Sequence, residues 1–421
     1  MQERKDYLDG LRGIAALIVV ISHSIIAFDF ALHTGDPSNS HGSWDIRLSG
    51  LPFLLPMAGN YAVCVFFLLS GFVLAGSFAT TRLGMIPLVL KRYLRLTLPI
   101  LAVILFSWAL LTCGLMANAA ASVETRSAWL AWQMTQAPDV AVALRDGLYG
   151  SLIGLPASPA YDSSLWTMGI EFIGSLLLIL IFGVTRPLRR SGSISDGALA
   201  ILLLVLGVAG HSFYLGLFAI GAAVSLADLP ARSASLRRPG LIMGLLLVLG
   251  VFFGTVPYSA ARGPWFDALV ASSPVAPPAP WQGASLAWLG TQGEPFWHGV
   301  GAILTLIPVL CWPMLRAALS RPLPRFLGRI SFPLYLFHIP LLMSAGAGLF
   351  TVLRHIGLAL APAAILTVAA FYTLALSVAW ALVPLLEETA VRWSGRLAVR
   401  LQDGLDRLVL GGKRRPANQA P

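Results

Sequence analysis

The chain is short of charge. Only 11% of its 421 residues are Asp, Glu, Lys or Arg, against about 25% in an ordinary soluble domain. It is equally short of cysteine. Its three cysteines, Cys64, Cys113 and Cys311, sit in apolar stretches without CxxC or metal-ligand spacing. This excludes a disulfide-stapled secreted scaffold, and no metal site is expected. The cysteines are expected in the core. No internal repeat at a solenoid period is present, and no stretch is polar enough to form a large soluble domain.

What the chain has instead is apolar length: 57% of the residues are hydrophobic. Segments such as 97–116 (TLPILAVILFSWALLTCGLM) and 164–183 (SLWTMGIEFIGSLLLILIFG) are nearly free of charge, and ~20 such residues suffice to span a bilayer. The reading is an all-α polytopic integral membrane protein of about ten transmembrane helices. They are placed near 8–28, 57–80, 96–116, 164–184, 196–210, 212–228, 240–256, 295–316, 330–350 and 361–386. Arg4 and Lys5 ahead of an apolar run resemble a signal peptide, but Asp9 and Arg12 interrupt it, so an uncleaved first span is expected.

The basic residues orient these spans. With both termini in the cytoplasm, 23 Lys and Arg fall on inside segments and five on outside ones, as the positive-inside rule requires. The formal net charge of +10 is therefore read as a topology signal, and no nucleic-acid partner is expected. Residues 1–390 form the membrane domain, and 391–421 form a basic tail. The tail begins as an amphipathic helix expected to lie on anionic lipid. Three outer loops are long (29–56, 117–163 and 257–294), and loops of that length commonly carry function.

Polar residues inside spans are costly and usually functional. The first span, YLDGLRGIAALIVVISHS, carries Asp9, Arg12 and His23. Arg12 and His23 are eleven residues apart, close to three helical turns, so they share a face ~16 Å apart along the axis, with Ala16 and Val19 between. Arg12 either snorkels beside Asp9 or meets a ligand. His23 is either a buried neutral histidine or a reacting group. Glu171, in SSLWTMGIEF, is expected at His23's depth, ~10 Å against ~8 Å below the outer boundary. The pair would act as a general base, or only as a structural ion pair. Lys91, Arg92 and Arg95 make one cationic edge at the entrance of the third span, either as ordinary inside charge or as a phosphate clamp. In FLGRISFPLYLFHIP, Ser331, Tyr335 and His338 share one polar face, while His298 is expected at the outer interface.

These stretches together resemble the acyltransferase 3 family, bacterial multi-span membrane O-acyltransferases of glycans. The resemblance rests on YLDGLRGIAALIVVISHS with its Arg-x10-His pattern, FFLLSGFVLA with Ser70 and Gly71, KRYLRLTLP, LWTMGIEF with Trp166 and Glu171, and FLGRISFPLYLFHIP. The blocks follow the family's order over most of the chain. Thr97-Leu98-Pro99 and Phe332 depart mildly from the pattern. A hydrolase-like domain after the last span, found in some members, is not expected here, so delivery to the acceptor is expected to rest on the membrane domain or on partner proteins.

The resemblance implies acyl transfer, most often of acetyl, from cytoplasmic acyl-CoA to a carbohydrate hydroxyl. It places the enzyme in the bacterial inner membrane. Acetyl-CoA is a substrate here, and no permanently bound cofactor is expected. Arg12, Lys91, Arg92 and Arg95 would hold the donor phosphates, and the pantetheine arm would lie along Ala16 and Val19. His23 and Glu171 would be catalytic, with His23 a general base or a covalent acyl carrier. Asp9, Ser70, Trp166, Ser331, Tyr335 and His338 would support the site. Lipopolysaccharide, exopolysaccharide and other glycans all fit as acceptors. Trp44, Trp129, Trp132, Trp281 and Trp288 in the outer loops either stack on sugars or belt the interface. Two other classes compete: a proton-coupled transporter or flippase relaying through His23, Glu171 and His338, and a non-catalytic scaffold of a glycan-export complex.

Overall fold

A computed structural model describes residues 6–154, 161–209, 213–227, 229, 239–273 and 293–411. Their regular secondary structure is helix, with no strand among the described residues. We number the principal helices α1 (Asp6–Phe28), α2 (Gly59–Thr80), α3 (Met85–Thr112), α4 (Trp166–Arg190), α5 (Asp196–Ala209), α6 (Phe213–Leu226), α7 (Pro239–Gly254), α8 (Glu294–Cys311), α9 (Pro322–Leu341), α10 (Leu360–Leu382) and α11 (Glu388–Gly411).

Seven helical segments, built on α1–α4, α8, α9 and the α10–α11 run, are long and apolar enough to cross a membrane. Helices α5, α6 and α7 are apolar but only 14, 14 and 16 residues long. At 1.5 Å per residue each falls short of a ~30 Å hydrocarbon core. The ten expected spans are thus seven long helices and three short ones among the described residues.

The third span starts earlier than expected. It opens at Met85 and runs 28 residues, because Lys91, Arg92 and Arg95 depress the hydropathy of a stretch that is nonetheless helical. The basic cluster therefore lies within the helix, two to three turns in, rather than ahead of it. Arg92 is buried there.

Helix α1 is central and packs on both α2 and α9. Its approach to α9 is set by small residues. A Cβ on Gly13 would stand 2.2 Å from the Gly328 amide nitrogen, and one on Gly328 would stand 2.3 Å from the Asp9 carbonyl oxygen. No side chain fits at either position, so backbone meets backbone, a packing that apolar surroundings favour. The same device joins α2 to α6 through Gly71 and Gly221.

Three expectations of burial are revised. Cys64 is buried and Cys311 half-buried, but Cys113 is exposed at the end of α3. His298 is buried in the protein, one turn into α8. Its Nε2–H donates to the Val256 carbonyl at 2.9 Å, and its Nδ1 accepts from the Asn60 amide at 3.1 Å. The tail helix α11, expected on a lipid surface, has one face against protein. It packs along α3, burying Ser394 and Ala398, and Gln402 accepts from the Gly84 amide at 2.7 Å. Trp281 and Trp288 lie outside the described residues.

Candidate active site

The site has two layers joined by α9. The first is a cleft between α1, α2, α3, α4 and α9, about 730 Å³ including its open mouth. Arg12, Arg92, Arg95, Glu171, Tyr335 and Glu387 are among the residues that line it, together with Ser70, Ser331 and Thr167. Lys91, expected to join the clamp, does not reach the cleft. Asp9 stands 4.0 Å from Arg12, an i,i+3 neighbour on the same helix.

Glu171 does not partner His23. Its carboxylate is ion-paired with Arg92, whose Nε also donates to Ser175 Oγ at 2.7 Å. The reason is azimuth: α4 turns Glu171 toward α3, where a guanidinium offers a charged fork that an imidazole cannot match. The expected channel is revised as well. Ala16 and Val19 are 0% and 1% exposed, so that stripe is packed solid. The open space runs instead past Val63, Phe66, Met168 and Tyr335.

The second layer is a pair of imidazoles. His23 Nδ1 and His338 Nε2 are 2.8 Å apart. The rings are 13° from coplanar with centroids 5.0 Å apart, so they meet edge to edge in the plane of their lone pairs. His338 Nδ1 lies 2.6 Å from the Tyr335 carbonyl oxygen. A carbonyl only accepts, so His338 carries its proton on Nδ1 and presents a bare Nε2. His23 must then donate from Nδ1, which leaves its Nε2 lone pair free. This fixes the tautomer of both rings from one backbone bond.

Trp129 covers His23. The two rings are 8° from parallel with centroids 5.2 Å apart. Trp129 rides on the short helix Ala128–Trp132, which is tied down at both ends. Ser127 caps its start, accepting from the Leu130 amide at 3.2 Å and donating to the Ile26 carbonyl of α1 at 2.8 Å. Asn118, which is buried, donates to the Leu130 and Gln133 carbonyls at its end. Trp44 and Trp132 are exposed on the segments between α1 and α2 and between α3 and α4.

Tyr335 connects the layers. Its hydroxyl donates to the Ser164 carbonyl at 3.1 Å and meets Thr167 Oγ1 at 2.9 Å, while its carbonyl holds His338. Ser164 is held in turn by Asp162, which accepts from its amide at 2.8 Å and its hydroxyl at 2.7 Å. Burial pushes the Asp162 carboxyl up to about 7 despite these two bonds, which act the other way. Trp166, at the start of α4, packs against Phe67, which lines the cleft, and against Tyr214.

Sequence reasoning missed three features. His338 was placed among supporting residues, although its i,i+3 spacing from Tyr335 already put it on the polar face. Trp129 had no local signal pointing to His23. Glu387 is a lone acid closing an apolar run, and that position is its only signal.

The acyltransferase 3 family profile, described as an acyltransferase domain, matches residues 5–383, and the chain belongs to that family. The protein is an O-acyltransferase. It is 25% identical to acyltransferase R4 of Phoma sp. (strain ATCC 20986 / MF5453), over 82% of this chain and 84% of that one. It is 23% identical to acyltransferase clz18 of Cochliobolus lunatus, over 82% and 84%. It is also 23% identical to O-acetyltransferase PaAT-1 of Phomopsis amygdali, over 83% and 74%. No solved structure matches the chain.

Proposed function

We propose that the protein moves an acyl group, acetyl in the first instance, from cytoplasmic acyl-CoA to a hydroxyl of an envelope or exported carbohydrate. The observation that carries this reading is the alignment of the two layers. An arginine-lined cleft shares Tyr335 with a histidine pair whose free nitrogen is His23 Nε2. Arg12 and Arg95 suit the donor's phosphates. Phe66, Met168 and Val63 supply an apolar wall for its arm. A relative that carries the name O-acetyltransferase supports acetyl as the group moved.

The chemistry follows from the tautomers. The acceptor hydroxyl gives its proton to His23 Nε2 as its oxygen attacks the thioester carbonyl. The C–S bond breaks, and the thiolate leaves with the proton from His23. During the step His23 is an imidazolium, and His338 Nε2, already aimed at its Nδ1–H, bears part of that charge. General-base help of this kind contributes ~10²–10⁴-fold. Arg92 and Glu171 hold α3 against α4 and keep the clamp in place. The exposed Trp44 and Trp132 offer flat apolar faces to sugar rings on the acceptor's side.

The test is thiol release from acetyl-CoA by the full chain in nanodiscs, with and without carbohydrate acceptors. Hydroxyl-dependent release that His23→Ala abolishes supports the proposal. Substrate flux across the bilayer without thiol release would replace it with a transporter.

A further inference from the structure

Helix α10 does not run smoothly into α11. A π turn, Val383–Glu387, intervenes, with Pro384 at its start. Such turns insert a residue into the helical ladder and often mark functional sites. This one packs against α9, α10 and α3, and it delivers Glu387 to the wall of the arginine cleft.

One oxygen of that carboxylate is placed there without a mate. Glu387 Oε2 is buried and has no hydrogen-bond partner. Arg12 and Arg95 line the same cleft and act on it electrostatically. Yet among the described residues neither forms an ion pair with it: Arg92 is taken by Glu171, and the carboxylate near Arg12 is Asp9, at 4.0 Å. Two guanidiniums and one carboxylate therefore line the same cleft. A ligand carrying only negative charge would satisfy the arginines and be repelled by Glu387. A ligand with N–H or O–H groups beside its phosphates would satisfy all three.

We propose that Glu387 is a specificity-determining residue of the donor site. It accepts a hydrogen bond from an N–H or O–H group of a donor whose phosphates Arg12 and Arg95 hold, and it turns away bare polyanions. Discrimination of this kind combines a contact for one ligand with a repulsion against the other. The inference rests on the acyl-CoA reading above, since coenzyme A carries hydroxyl, amino and amide groups next to its phosphates.

The test is calorimetric binding of coenzyme A and of pyrophosphate to the purified full chain, for wild type, Glu387→Gln and Glu387→Ala. Wild type is expected to prefer coenzyme A by about a hundredfold or more. Glu387→Gln keeps an acceptor oxygen but loses the charge, so pyrophosphate should tighten about tenfold while coenzyme A changes little. Glu387→Ala should tighten pyrophosphate similarly and weaken coenzyme A about tenfold. Equal affinity of wild type for the two ligands overturns the proposal, as does a ratio unchanged in both variants. A parallel rise of both ligands in the two variants also overturns it and leaves Glu387 a mere counter-charge. If wild type binds coenzyme A with an unchanged ratio in the variants, only this inference fails. If wild type binds no coenzyme A, the donor reading fails with it.

Discussion

His23 and His338 divide one task. On the proposed reading, His23 presents the reacting nitrogen, and His338 sets which nitrogen that is. Their losses should therefore differ. His23→Ala should lower kcat by about 10³-fold or more with donor binding retained, whereas His338→Ala should lower it by about 10²-fold, because His23 survives without its oriented partner. Equal losses in single-turnover kinetics would give the two rings equal roles. Glu171 behaves as a different kind of residue. Its carboxylate neutralises an arginine that is itself buried, and removing one partner of such a pair costs about 3–5 kcal/mol. Glu171→Ala should thus lower the melting temperature in detergent markedly, while His23→Ala leaves it near wild type. A Glu171→Ala protein that melts normally yet is inactive would return Glu171 to the chemistry.

At the scale of elements, the short helix Ala128–Trp132 shows how a loop between spans is brought onto a candidate site residue. Ser127 links it to α1 and caps it with the same hydroxyl. Loss of such a cap costs about 1 kcal/mol. Ser127→Ala should move Trp129 off His23 and lower kcat several-fold with donor KM unchanged, and Ser127→Thr should restore it. Kinetics that Ser127→Ala does not alter would reduce Trp129 to packing. The helices themselves were legible in the sequence. The first runs from residue 6 rather than 8, the second and tenth match to within four residues, and the fourth starts within two but runs six further, because sustained apolar length is a strong signal. The third was misplaced at its start because three basic residues look like a boundary to hydropathy. The candidate site is legible as a set of polar residues and not in its pairings. Arg12, Arg92, Arg95 and Tyr335 stand out in the sequence and line one cleft, but depth along a helix says nothing of azimuth. Glu171 and His23 were expected to share a layer; the sequence held no statement of which neighbour each would face.

For the whole molecule, pH reaches the fold through Asp162, which sits just ahead of α4 and fastens Ser164 beneath Tyr335. Burial raises its carboxyl from an ordinary 3.8 to about 7 in the folded protein. Between those values the folded chain holds a proton that the unfolded chain has lost. Its contribution therefore favours folding fully below pH ~4 and fades as pH rises to about 7. Replacing Asp162 with Asn removes the titration. Thermal melting from pH 4 to 8 should show a shallower decline in Asp162→Asn than in wild type, and identical profiles would disprove the assignment.

The glycine contact between α1 and α9 has a consequence of another kind. Arg12 and His23 stand on one helix, Ser331 and His338 on the other, and backbone meets backbone at Gly13 and Gly328. Neither helix slides against the other without a clash. The span from the phosphate end to the reacting nitrogen is then a fixed ruler, set by eleven residues of helix at ~16 Å. On the proposed reading, the enzyme gauges the length of the carrier that brings the acyl group. The ruler stops at the thioester, so it is blind to what hangs beyond. Whatever selects short acyl chains from long ones must therefore lie past His23, where Trp129 stacks on the ring.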